Sequence, residues 1–308
     1  MDFSGFCLRC FLVFIFNGSL FTLYAQKETP ELPWLKRALP LSDRVEESSG
    51  IFFTEQGLWT YNDSGGEAEF YLIDTASGFL KHTVKVQGAK NVDWEAACIC
   101  HNYLFTGDIG NNQGKRQDLK IYKTQIPDTL FSLIPVKDEI EIQWSALSEQ
   151  AKVNKDYDSE AMLCYDKGLI LLNKPWNTGI LRAGYIAFGK PLVWVEDSMQ
   201  PGILVSDAIF LPWQGKQYLL LLGYENKLPG DVYLWVIQQE KNISIFKGER
   251  VKILLGNAFI LGQAEGLAYD GDKTLFLSAE KFGIHKTAVL HSLDWEVMLD
   301  RFWIPKQE

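Results

Sequence analysis

Basic clusters are missing from this sequence. Lys and Arg number 30 against 39 Asp and Glu, a formal net charge of −9, and no stretch concentrates positive charge. Phosphate binding needs concentrated Lys and Arg, so nucleic acid is excluded as a partner. An acidic chain suits a cation, a neutral sugar or a basic ligand. Histidine is scarce, and His82, His101, His285 and His291 are scattered, which removes a His-built zinc or copper centre. Of five cysteines, Cys7 and Cys10 lie in an apolar N-terminal segment; Cys98, Cys100 and Cys164 contain no C-x-x-C pair. Their odd number argues against a disulfide framework, and three free, buried thiols are expected. No G-x-S-x-G elbow supports Ser49 or Ser159 as a nucleophile. Helical periodicity is nearly absent, with Ser145 to Val153 the best short candidate.

Long apolar runs are also absent, except at the start. Phe11 to Ala25 is nearly all apolar, but this run of 15 residues is short of the ~20 needed to span a membrane. A short apolar core ending in Leu-Tyr-Ala fits a secretory signal over residues 1–25, cut near Ala25. The expectation is a secreted or periplasmic chain, 26–308, forming one domain without a transmembrane segment.

What is abundant is aromatic residues, 13% of the chain, and a repeat. Aromatics favour pleated, half-buried surfaces. One pattern recurs five times: a small or acidic cluster, a short strand, a turn, and an apolar second strand ending in polar residues. The copies anchor on Ser49, Glu95, Glu160, Asp207 and Glu265, spaced 46, 65, 47 and 58 residues apart. A blade of four antiparallel strands takes about 40–50 residues, so each interval holds one blade with variable loops. The expected fold is all-β, a β-propeller of about five four-stranded blades. Further strands are expected at Glu69 to Asp74, Leu119 to Thr124, Glu139 to Trp144, Leu192 to Val195, Val232 to Gln238 and Val251 to Leu255. Either Trp34 to Leu41 or Arg301 to Ile304 supplies the strand that closes the ring. Strand parity sets Cys164 at the register of Ile99, so its side chain takes the opposite blade face from Cys98 and Cys100.

The repeat predicts where chemistry sits. The start of each first strand lies beside the end of the second, and around a ring these places share one mouth of the tunnel. The strand starts carry Glu47, Asp93, Glu95, Asp158, Glu160, Asp207 and Glu265. The second-strand ends carry Asn62, Asp63, Asp108, Asn111, Asn173, Glu225 and Glu280. Carboxylates so close repel unless a cation neutralises them or their pKa values rise. Calcium, which takes six to eight oxygens, is the simplest neutraliser. Pairing with Lys174, Lys281 or Arg116 is the structural alternative, and His285 is the one histidine placed to approach this mouth. Residues 107–112 and 62–66 read as tight turns, not phosphate loops, since the glycine spacing does not match.

Asn62-Asp63-Ser64-Gly65, Asp93-Trp94-Glu95, Gly107-Asp108-Ile109-Gly110-Asn111-Asn112 with Arg116, and Ile121-Tyr122 occur in this order. Over about residues 45–125 the chain resembles a group of exported, mostly uncharacterised bacterial β-propellers. More remotely it is similar to gluconolactonase/SMP-30-like and phytase-like propellers. That resemblance implies a calcium-type cation at the tunnel mouth, with Glu95, Asp108, Glu160, Asn173 and Glu265 as ligands and lactone or phosphoester hydrolysis as the activity. The chain departs from those families in showing five countable blades, not six, and no basic phosphate pocket.

The leading expectation is therefore a cation-assisted site for a small oxygen-rich ligand, with Asp93 or Asp158 as general base. Asn62, Asp63, Asp207 and Glu280 complete the ligand-binding mouth. Two alternatives come from other classes. One is a non-catalytic propeller that binds a glycan or protein through Trp176, Trp213 or Trp235. The other is a glycosidase, with paired carboxylates ~5–5.5 or ~6.5–9.5 Å apart.

Overall fold

A computed structural model describes residues 34–143, 155–240 and 244–303. The expected leader, residues 1–25, and the helix candidate Ser145 to Val153 lie outside the described residues.

Among the described residues, twenty strands are arranged as five blades. After β1 (Leu35–Pro40), blade 1 holds β2 (Ser48–Thr54), β3 (Gly57–Asn62), β4 (Glu69–Ile73) and β5 (Leu80–Gln87). Blade 2 holds β6 (Trp94–Cys100), β7 (Tyr103–Asp108), β8 (Lys120–Gln125) and β9 (Leu133–Glu141). Blade 3 holds β10 (Ser159–Tyr165), β11 (Gly168–Asn173), β12 (Leu181–Ala187) and β13 (Val193–Met199). Blade 4 holds β14 (Leu204–Trp213), β15 (Lys216–Tyr224), β16 (Asp231–Gln238) and β17 (Arg250–Asn257). A short helix, α1 (Ala258–Leu261), leads into blade 5: β18 (Gln263–Tyr269), β19 (Thr274–Glu280) and β20 (Val289–Asp294). Helix α2 (Trp295–Phe302) follows.

Blade 5 takes its fourth strand from the other end of the described chain. β1 pairs antiparallel with β20, with Leu39 opposite Leu290 and Pro40 opposite Val289. Of the two closing segments the sequence offered, the N-terminal one is used. Arg301 instead lies in the last turn of α2, which Asp294 caps by accepting from the Val297 N–H at 3.1 Å. The signal for this helix is Trp295, Met298 and Leu299, all buried and spaced i, i+3, i+4 behind a capping Asp. Blades 1 and 2 are further joined edge to edge, because β5 and β9 pair in parallel (Lys85 opposite Leu133).

The five hydrophobic cores lie between neighbouring blades, so a blade buries both its faces. In β15, Leu219 and Leu221 pack in one core and Leu220 and Leu222 in the next. That is why second strands read as unbroken apolar runs, while the outer β9 is largely exposed.

This ring corrects one expectation. Cys100 and Cys164 form a disulfide, Cα atoms 5.2 Å apart, and Cys98 is the free thiol among the described residues. The register assignment explains the bond. Successive blades stack face to face, so side chains on opposite faces of β6 and β10 meet in the same gap. Opposite parity, taken within single blades as separation, is what brings the sulfurs together across two.

Candidate functional site

The pairing of each inner strand with its neighbour slips at one place. The slips fall between Ser48 and Ile51, Trp94 and Ala96, Ser159 and Ala161, Val205 and Asp207, and Ala264 and Gly266. A β-bulge bends its strand and re-aims a side chain. The bulged residues are therefore Ser49 with Gly50, Glu95, Glu160, Ser206 and Glu265. Ser49, Glu95, Glu160 and Glu265 line one pocket of about 150 Å³ at the tunnel mouth. In blade 4 the bulge falls one residue early. Asp207 stays paired with Leu222 and accepts from the backbone N–H groups of Leu267 and Ala208, both at 2.7 Å. It ties blade 4 to blade 5 and does not line the pocket.

Asp63 and Glu280, at or just past second-strand ends, do line it. The 62–66 turn is held by Asn62, whose side-chain amide donates to the Arg44 carbonyl and whose backbone carbonyl accepts from the Asn91 amide. A bridge between Ser64 and Asp93 then docks this turn on blade 2. As a result one carboxylate oxygen each of Asp63, Asp93 and Glu95 lies within 4.8 Å of the others. Gly110 closes over them: a Cβ at this position would overlap the Asp93 and Glu95 carboxylates.

Several predicted residues hold the loops around this cluster. Asp108 accepts from the Asp93 N–H at 3.0 Å and pairs with Arg116 at 2.8 Å. Arg116 also pairs with Asp118 at 3.1 Å and donates to the Gly110 carbonyl. Asp158 is fully buried and accepts from the Asn111 N–H (2.6 Å) and the Trp176 indole N–H (2.7 Å). Asn173 accepts from the Arg182 N–H at 2.6 Å and donates to the Asp156 carbonyl at 3.2 Å. His285 bonds the Ile260 carbonyl and is not among the residues lining the pocket.

Lys174 is the cation of the pocket. It is ion-paired with Glu160, and its ammonium stands 5.0 Å from the Trp176 ring and 5.2 Å from the Tyr224 ring. Burial works to lower its pKa, but Glu160 and the carboxylates around it outweigh that and raise it well above the usual lysine range. Asn112, Trp176, Tyr224 and Gln263 complete the lining. Tyr224 and Gln263 carried no motif signal; each stands beside a residue that did, Glu225 and Glu265. Gln263 donates to the Glu265 carboxylate.

One lysine does not balance so many acids. Burial, then Asp93 and Glu280, pushes Asp63 up to about 9. Burial also raises Asp93, Glu95 and Glu265, and carries Glu160 to about 8 and Glu280 to about 7. Asp63 and Asp93 lie close enough that each shifts the titration of the other. Glu160 is 5% exposed, and its Oε2 has no hydrogen-bond partner among the described residues. The pocket therefore offers oxygen donors in surplus, on carboxyls that would give up protons to a hard cation.

No family model and no curated protein sequence matches this chain. Solved structures do match its fold. The chain is similar to an aldose sugar dehydrogenase of Streptomyces coelicolor, with a TM-score of 0.52 and 10% identity over 84% of this chain and 97% of that one. It is similar also to the allergen Mala s 1 of Malassezia sympodialis, with a TM-score of 0.52 and 12% identity over 80% and 92%. At such identities the likeness is one of architecture; with the five blades seen here, the chain is a β-propeller.

Proposed function

We propose that this is an exported β-propeller whose acid-lined mouth binds a hard divalent cation, calcium foremost, and with it a small oxygen-rich ligand. The observation that carries the reading is the convergence of Asp63, Asp93 and Glu95 within 4.8 Å, beside the buried, unpartnered Oε2 of Glu160. The residues fit such an ion: all donors are oxygens, with the Ser49 hydroxyl and the Asn112 amide on the same pocket wall. The Cys100–Cys164 disulfide supports an oxidising compartment, and so export.

A bound cation supplies charge to polarise a carbonyl or phosphoryl oxygen of the ligand. The protein's own groups do the rest. Lys174 pairs with Glu160 and offsets part of the burial that raises its pKa, and Trp176 and Tyr224 wall the far side. Asp93 fits the role of general base better than Asp158, whose carboxylate oxygens each accept an N–H bond. Hydrolysis of a small ester, lactone or glycoside is the reaction class this set serves.

Metal analysis of the purified protein, before and after chelation, tests the cation. About one calcium per chain is expected, with a melting temperature several degrees higher in calcium than in chelator. A metal-free protein whose melting point ignores calcium, magnesium and manganese overturns the reading.

A further inference from the structure

The tunnel has a second mouth of opposite chemistry. The acids of the first mouth stand near the starts of the inner strands. Farther along, the same five strands wall a well of about 380 Å³, each supplying apolar side chains such as Phe53, Ile99, Leu163, Ile209 and Ala268. No charged side chain lines it. Cys98 is there too, but burial, then the charge of Asp207, raises its thiol pKa, so it acts as one more apolar group. Water in such a space finds few hydrogen-bond partners, which leaves it to an apolar occupant. Its volume falls within the ~300–1,000 Å³ of small-molecule pockets.

The well does not end blind. Cys164, Phe210 and Pro212 also border a groove of about 830 Å³ beside the β10–β11 and β14–β15 turns. Its chemistry differs from that of the well. Tyr165 is 42% exposed, its ring 6.1 Å from that of Phe210, and Trp213 lies further along. Gln214 and Gln217 bring carboxamides that both donate and accept, and Asp166, Glu240 and Lys216 are of mixed sign. Aromatic faces beside amides suit neutral hydroxyl-bearing groups, whose C–H faces pack on rings while their hydroxyls bond the amides.

We propose that this end of the propeller binds an amphiphile, with one alkyl chain in the well and a neutral, hydroxyl-rich head group in the groove. The site stands apart from the acid-lined mouth and needs no cation.

The test is calorimetric titration of the purified protein with dodecyl maltoside below its critical micelle concentration, and separately with maltose and decanol, in calcium and in chelator. Saturable binding of one dodecyl maltoside per chain is expected, unchanged by chelation, with maltose at least about tenfold weaker. Ile99→Trp, which fills the well, is expected to weaken dodecyl maltoside by a similar factor at unchanged melting temperature. Ala97→Leu serves the same purpose if that variant does not fold. Tyr165→Ala and Gln217→Ala are expected to weaken dodecyl maltoside and leave decanol unaffected. Absence of saturable binding overturns the proposal. So does maltose binding as tightly as dodecyl maltoside, which marks a glycan groove alone. Decanol matching dodecyl maltoside, with no effect of Gln217→Ala, overturns the role of the head group.

Discussion

The ammonium of Lys174 and the carboxylate of Glu160 form an ion pair that water scarcely reaches, the two side chains being 4% and 7% exposed. Even with this partner, burial carries Glu160 up to about 8. Removing one member of a buried pair strands the other. Lys174→Met is therefore expected to cost about 3–5 kcal/mol at about pH 9, where the Glu160 carboxylate of the wild type is charged. Adding Glu160→Gln is expected to recover much of that loss, since no buried charge is then left unpaired. Denaturant melts of the two variants give the comparison; equal stabilities for single and double variants contradict it.

Asp63 is protonated at neutral pH when its neighbours are the only charges near it, because its pKa is pushed up to about 9. Asparagine mimics that state. Asp63→Asn is expected to change the stability of the chelator-treated protein by less than about 1 kcal/mol, while abolishing the rise in melting temperature with calcium. A calcium response that survives the substitution removes Asp63 from the cation site.

Gly110 leaves room for the carboxylates of Asp93 and Glu95 and for no Cβ. Gly110→Ala must displace backbone or both acids, at an expected cost of about 1–3 kcal/mol. The calcium response is expected to weaken with it. Melting curves with and without calcium show whether the two effects travel together.

His291 is 2% exposed; its Nε2 donates to the Leu261 carbonyl, and its Nδ1 has no partner. Burial lowers its pKa to about 4 from 6.5. The unfolded chain therefore takes up this proton first as pH falls. The stabilisation is complete above about pH 6.5 and is lost as pH drops towards 4, about 3 kcal/mol in all. His291→Gln keeps a donor for Leu261 and cannot ionise. The stability difference between wild type and this variant is expected to shrink across that window, in denaturant melts from pH 7 to pH 4.

Cys100 and Cys164 enclose 64 residues of sequence separation and join blades 2 and 3. Cys164→Ser is expected to lower stability by about 2–4 kcal/mol. Peptide mapping without reductant should recover the Cys100 and Cys164 peptides linked and Cys98 alkylated. A Cys98–Cys164 linkage contradicts the pairing seen in the structure.

The repeat was legible because a propeller is nearly one-dimensional. Each blade reuses one pattern, and the buried second strands announce themselves as runs such as Leu169 to Leu172 and Leu219 to Leu222. The acids at strand starts were legible for the same reason, since one register recurs in every copy. Sequence spacing alone also gave the opposite parity of Cys164 and Cys100.

Which acids share a pocket was decided only in three dimensions. Asp207 and Glu265 occupy the same place in the repeat, yet a bulge one residue early in blade 4 turns Asp207 into the gap with blade 5. A one-residue slip leaves no trace in composition, because it is a choice of backbone hydrogen bonds. The same holds for Asp158, whose N–H partners Asn111 and Trp176 lie on loops that only folding brings near. The disulfide, too, depends on the stacking of blades, which turns opposite faces of two strands towards each other. Local pattern is enough to set strand and repeat; the aim of a side chain at the axis depends on contacts between blades, and those are made only by the closed ring.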